Sequence, residues 1–142
     1  MNLPKIIDTH SHVSFNAFKA DADEVTRRSF DQNIWMINVG TKYETSSGSV
    51  RFAQQYESGV YAAIGLHPMH AASEFLNLKN DPEEEEFLTE EQDFNKEKYK
   101  ALALSDRRVV AVGEIGLDYY YKPKTTIKLN QFKEKQKKVF LQ

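Results

Sequence analysis

The chain predicts an α/β fold with a parallel sheet. Two observations carry that prediction. Four short, near-continuous apolar runs are separated by stretches with helical spacing of apolar residues. Strands buried on both faces by crossover helices read in this way, and antiparallel strands with one wet face do not. All four histidines also follow directly on predicted strands, at the carboxyl ends where parallel α/β sheets and barrels bind ligands.

The elements follow in order. "KIIDTH" (5–10) is a short β-rich run, and "ADADEVTRRSFDQN" (20–33) is polar with spaced apolar residues, a helix. "IWMINVG" (34–40) is apolar, partly β-branched and closed by glycine, a second strand. "ETSSGSVRFAQQYES" (44–58) predicts a helix, and "VYAAIGLHP" (60–68) a third strand and its exit. "FNKEKYKALALSD" (94–106) spaces Tyr99, Leu102 and Ala103 as one helical face. "VVAVGEIG" (109–116) is the fourth strand. "TIKLNQFKEKQKKVFLQ" (126–142) closes as a helix with Ile127, Phe132, Gln136 and Val139 or Phe140 near one face.

The 142 residues, 40% of them hydrophobic, suit one domain with a modest core. A net charge of -2 argues neither for nor against nucleic-acid binding. The absence of cysteine excludes disulfides, thiolate metal sites and thiol nucleophiles. No apolar stretch is long enough to span a membrane, and "MNLPKIIDTHSH" lacks the apolar core of a signal peptide, so a cytoplasmic location is expected. The segment 79–98 is rich in aspartate and glutamate, and its core, about 80–93, reads as a solvated acidic insertion. Four adjacent glutamates there lack the spaced oxygens and turn glycine of a calcium loop. From Lys122 onward there are seven lysines and one glutamate, read as the solvated face of a helix rather than a phosphate-binding surface.

Chemistry is concentrated at the strand ends. In "DTHSH", His10 and His12 stand two residues apart, so extended backbone points both to one side, and Asp8 has the same parity. Two imidazoles on one side can grip one divalent ion. In "GLHPMH", Gly65 permits close approach of backbone or ligand, and Pro68 fixes the chain after His67. His67 reads as a second layer or substrate contact, and His70 as the start of the next helix. Glu114, in "GEIGLDYY", ends the fourth strand between Gly113 and Gly116. A buried carboxylate needs a partner, and cations held by His10 and His12 would supply one. Asp118 either orients a ligand histidine or fixes the loop. One of Tyr119, Tyr120 and Tyr121 is placed to stack on a base or donate to a phosphate, and at least one packs beneath the loop.

"DTHSHV", "GLHP" and "GEIGLDYY", in that order and spacing over residues 8 to 121, resemble the TatD family of metal-dependent deoxyribonucleases within the amidohydrolase-like metallohydrolases. The final "QFKEKQKKVF" resembles the helix after that family's glutamate motif. The resemblance implies a (β/α)8 TIM-type barrel, of which this chain carries the first four βα units, an amino-terminal half over 1–142. It implies that His10 and His12 bind the first metal, that Glu114 ligates or bridges the metals and is catalytic, and that His67 lines the active site. It implies two divalent ions (magnesium, manganese or zinc), DNA or oligonucleotides as substrate, a cytoplasmic role in DNA catabolism, and release of 5′-nucleotides. Such a barrel takes about 250 residues. The family's two further ligand histidines and late aspartate have no counterpart here, since no histidine follows His70 and Asp118 is the last aspartate. The isolated chain is therefore expected to be inactive and to associate with itself. The rival readings are another hydrolase of the superfamily acting on an amide, lactone or small phosphoester, and a non-catalytic half-barrel that packs against a partner.

Overall fold

A computed structural model of the chain describes residues 3–75 and 94–142. The acidic stretch 80–93 lies outside the described residues. Among the described residues there is one sheet of four strands, β1 (Ile6–Ser11), β2 (Ile34–Val39), β3 (Val60–Ile64) and β4 (Val109–Val112), in the order β1-β2-β3-β4. Every pairing is parallel, as the apolar runs predicted. Five α-helices are described: α1 (Ala22–Asp31), α2 (Tyr43–Ala53), α3 (Pro68–Ala71), α4 (Lys96–Ala103) and α5 (Thr126–Phe140).

Alternation along the strands puts Val60, Ala62 and Ile64 of β3 on one face, which the helices cover in two clusters. Met36 and Val60 pack with Val13, Phe52 and Ala53 under α1, whose Val25 also touches this cluster. Ala62 and Ile64 pack with Val50, Leu66, Ala71 and Tyr99 under α2 and α4. Complete burial of a side chain such as Ile64, 1% exposed, contributes roughly 1.5–3 kcal/mol. Helix α1 ends where Asn33 takes φ 59°, a left-handed conformation that asparagine tolerates better than most residues.

The helices are shorter than their periodicity suggested. Helix α2 stops at Ala53 rather than near 58, because residues 54–56 turn back through Gln55 N–H to Phe52 O and Tyr56 N–H to Ala53 O. In α5, Phe132 and Gln136 are buried and Val139 is partly buried, but Ile127 is 75% exposed and is not on the core face. His70 does not open α3, which starts at Pro68 with His67 as its cap; it falls inside the helix and is almost fully buried.

The sheet's outer strands are bare. Ile6 and Ile7 of β1 and Val110 and Val112 of β4 are each about half exposed or more. Such edges carry unpaired ladder groups as well as apolar surface.

Candidate metal centre

The carboxyl ends of β1 and β4 bring three side chains together. Ligand atoms of His10, His12 and Glu114 all lie within 4.8 Å of one another. His10 Nε2 stands 2.5 Å from Glu114 Oε1, and His12 Nε2 stands 3.9 Å from the same oxygen. His67 approaches the other oxygen, with Nε2 3.4 Å from Glu114 Oε2. One carboxylate thus faces three imidazoles.

Backbone contacts set the tautomers. His12 Nδ1 lies 2.9 Å from Val39 O, a carbonyl that can only accept, so Nδ1 carries the proton. The lone pair of the neutral ring is then on Nε2, which faces Glu114. A ligand histidine whose second nitrogen donates to a backbone carbonyl is held in orientation and made more basic. His67 has the opposite arrangement. Its Nδ1 accepts the Met69 N–H at 3.2 Å, capping α3, so its proton sits on Nε2 and points at Glu114 Oε2. In this tautomer His67 turns its N–H toward the carboxylate and does not offer it a competing lone pair. Burial lowers the His67 pKa, and the neighbouring Glu114 charge only partly offsets that. His70 is pushed down to about 4, first by burial and then by the charges of Lys42 and His67, and is neutral at physiological pH.

The backbone beneath the site is tightly fitted. A Cβ on Gly65 would lie 2.5 Å from Glu114 O and 2.6 Å from Gly113 C. The close approach that glycine permits here is therefore that of backbone. Gly65 itself cannot retreat: its N–H donates to Ser46 Oγ, and its carbonyl accepts from Tyr99 Oη, each at 3.2 Å. The segment opposite is tied down as well, with Gly113 N–H on Ile64 O (2.8 Å) and Glu114 N–H on Gly40 O (3.2 Å).

The remaining sequence-predicted residues lie around this group. Asp8 does not share the side of His10 and His12. The β1–β2 register shifts between Asp8 and Ser11, which breaks the two-residue alternation, and Asp8 pairs with Met36, a helix-side residue. Its carboxylate accepts the His10 N–H at 3.0 Å instead. Asp118 Oδ1 accepts the Tyr120 N–H at 2.9 Å, so of its two expected roles this contact is the loop-fixing one. Tyr119 packs toward Phe132, with ring centroids 6.2 Å apart, and Lys133 Nζ lies 5.1 Å over its ring. Tyr120, 80% exposed, is the tyrosine of the triplet that faces solvent.

Two supports were not foreseen. Asn38, fully buried on β2, accepts the Ser14 N–H at 3.1 Å, and Ser14 Oγ meets Ser49 Oγ at 2.9 Å, so the turn after His12 is fastened to β2 and α2. The polar Asn38 inside the apolar run "IWMINVG" was the available signal. The second support is Gln136, which was read only as part of a helix face.

A parallel α/β layer with two imidazoles and a carboxylate converging at its strand ends has the donors of a metal centre. The donor set fits a divalent ion such as zinc, manganese or magnesium, since His12 presents a directed lone pair and Glu114 a negative oxygen shared with His10.

A family model described as "TatD related DNase" matches residues 7–142, and the chain belongs to the TatD family. It is 32% identical over 117 residues to the uncharacterized metal-dependent hydrolase YjjV of Escherichia coli, covering 82% of this chain and 39% of that protein. It is 30% identical over 115 residues to a 3'-5' ssDNA/RNA exonuclease TatD of Cronobacter sakazakii, covering 80% and 36%. The crystal structure of the YjjV TatD homolog superposes with a TM-score of 0.64 at 26% identity, over 97% of this chain and 47% of that one. The chain therefore spans less than half the length of these relatives. Among the described residues no helix is long and apolar enough to cross a membrane.

Proposed function

We propose that this chain is the metal-binding amino-terminal half of a TatD-type barrel, and that the complete barrel hydrolyses DNA phosphodiester bonds in the cytoplasm, in DNA catabolism. The observation that carries this reading is the convergence of His10, His12 and Glu114 at the ends of parallel strands. The nucleic-acid substrate is supported by the family's description and by the relative described as an exonuclease. A bound divalent cation would supply Lewis-acid stabilisation of developing negative charge and would acidify a water.

The chain's own residues do the rest. The Nε2 atoms of His10 and His12, with Glu114 Oε1, form the grip for one ion, and Val39 O keeps His12 in the binding tautomer. His67 holds Glu114 Oε2 and limits its rotation. Glu114 is the catalytic residue: with His10 and His12 it would hold the ion that supplies the Lewis-acid chemistry. Asp118 and Tyr119 shape the loop beside it. Two-ion chemistry would draw its further ligands from outside these residues, as the family resemblance implies.

The test is nucleotide release from a single-stranded oligonucleotide with and without chelator. The 142-residue chain alone should release little, and the protein with a full eight-stranded barrel should release nucleotide only with divalent metal. In that complete protein Glu114→Gln should cost far more activity than His70→Asn. Chelator-sensitive turnover by the 142-residue chain at rates near the complete protein would overturn the half-site reading.

A further inference from the structure

We infer that Gln136, on helix α5, is the positioning residue that holds the Glu114 loop in its metal-binding place; this rests on the metal-site reading proposed above. Gln136 is 1% exposed. Its amide has one carbonyl oxygen and two N–H groups, and these make three hydrogen bonds to backbone. Oε1 accepts the Asp118 N–H at 2.9 Å, and Nε2 donates to Asp118 O at 2.9 Å and to Pro68 O at 3.2 Å. The side chain therefore pairs with Asp118 on both its polar groups, as a neighbouring strand would. The third bond reaches the residue after His67.

One buried amide thus joins the two loops whose side chains meet as His67 Nε2 and Glu114 Oε2. The two ends of the Glu114 loop are held by different contacts. Its start is pinned by the bonds to Ile64 O and Gly40 O. Beyond that point Ile115 and Leu117 are 49% and 47% exposed, so these two side chains do not anchor the segment. The Asp118 carboxylate stiffens the next turn through Tyr120 N–H but reaches no other element by that bond. Gln136 supplies the hydrogen bonds that join this turn to the helix layer, beside the packing of Tyr119 toward Phe132. Removing it would leave Asp118 N–H and two carbonyls without these partners and free the loop that carries the carboxylate. Residues that orient metal ligands typically change metal affinity about 10–100-fold when replaced.

Gln136→Met keeps the length of the side chain and removes all three bonds, and Gln136→Asn keeps the amide but is one methylene too short to reach. Manganese binding to the 142-residue chain is measured by calorimetry with manganese chloride alone. Amide hydrogen exchange at Asp118 is measured without metal, and Val139→Ala, on the same helix, serves as a stability control. Both Gln136 variants should bind manganese about 10–100-fold more weakly and exchange the Asp118 amide faster, while Val139→Ala leaves the affinity within about two-fold of wild type. Wild-type affinity in either folded Gln136 variant would overturn the inference, as would an equal loss in Val139→Ala, which would trace the effect to general stability. Should the wild type fail to bind manganese, or bind it as well in Glu114→Gln, the metal-site reading itself falls and this role falls with it.

Discussion

Replacing Gly65 with alanine should damage the metal centre without touching any ligand. The added Cβ would lie 2.5 Å from Glu114 O, 2.6 Å from Gly113 C and 2.8 Å from Glu114 N, whereas ordinary contact begins at 3.4 Å. The gap to be opened is therefore about 0.9 Å at the closest atom, by difference from those contact limits. Gly65 cannot supply it, because Ser46 and Tyr99 hold its N–H and its carbonyl. The Gly113–Glu114 segment must move instead. Metal ligation tolerates displacements of only about 0.2 Å, so the carboxylate leaves its place beside His10 and His12. Overpacking of this kind costs about 1–3 kcal/mol. The assay is calorimetric manganese titration, together with a urea unfolding midpoint. Gly65→Ala should bind manganese at least about 10-fold more weakly and unfold at lower urea. Gly48→Ala is the control: it lies within α2, its Cβ meets only Arg51 Nη2 at 3.9 Å, and it should gain about 0.5–1 kcal/mol with unchanged affinity. Gly65→Ala with wild-type affinity and midpoint would refute the argument that backbone contact between β3 and β4 sets the position of Glu114.

Two further outcomes are expected. His70, with its pKa pushed down to about 4 by burial, gives stability that is complete above its ordinary value of 6.5 and is lost as pH falls from there toward 4, because the unfolded chain takes up the proton first. The loss amounts to about 3 kcal/mol at pH 4, and urea unfolding of wild type against His70→Asn across that range should show the variant's stability varying less with pH. The bare β1 and β4 edges should make the 142-residue chain self-associate. Light scattering should report a species larger than a monomer, and Val112→Lys, which puts a charge on a residue 67% exposed at the β4 edge, should shift it toward monomer; a wild-type monomer would contradict this.

The parallel sheet was legible in the sequence because each strand is a compact apolar run and each turn back to the sheet crosses a helix. The metal-centre geometry was legible where local pattern governs it. His10 and His12 lie two residues apart at the end of β1, and Glu114 follows β4 between glycines. Asp8 was misplaced because a register shift between it and Ser11 leaves no mark in composition or spacing. Ile127 was assigned to a buried face because helical periodicity says which residues share a side of α5 but not how far along the helix its neighbours reach. Gln136 and Asn38 escaped notice as site supports for a similar reason. Their partners are backbone groups 18 or more positions away in sequence, and only the packed fold brings those groups within reach.

The central claim is that His10, His12 and Glu114 hold one divalent ion. Crystals of the 142-residue chain grown with manganese and measured for anomalous scattering test it most directly. The account predicts one strong peak about 2.0–2.3 Å from Nε2 of His10, Nε2 of His12 and a Glu114 oxygen, with His67 still facing the other oxygen, and loss of that peak in Glu114→Gln. A peak ligated by other residues, or an unchanged peak in Glu114→Gln, would contradict it.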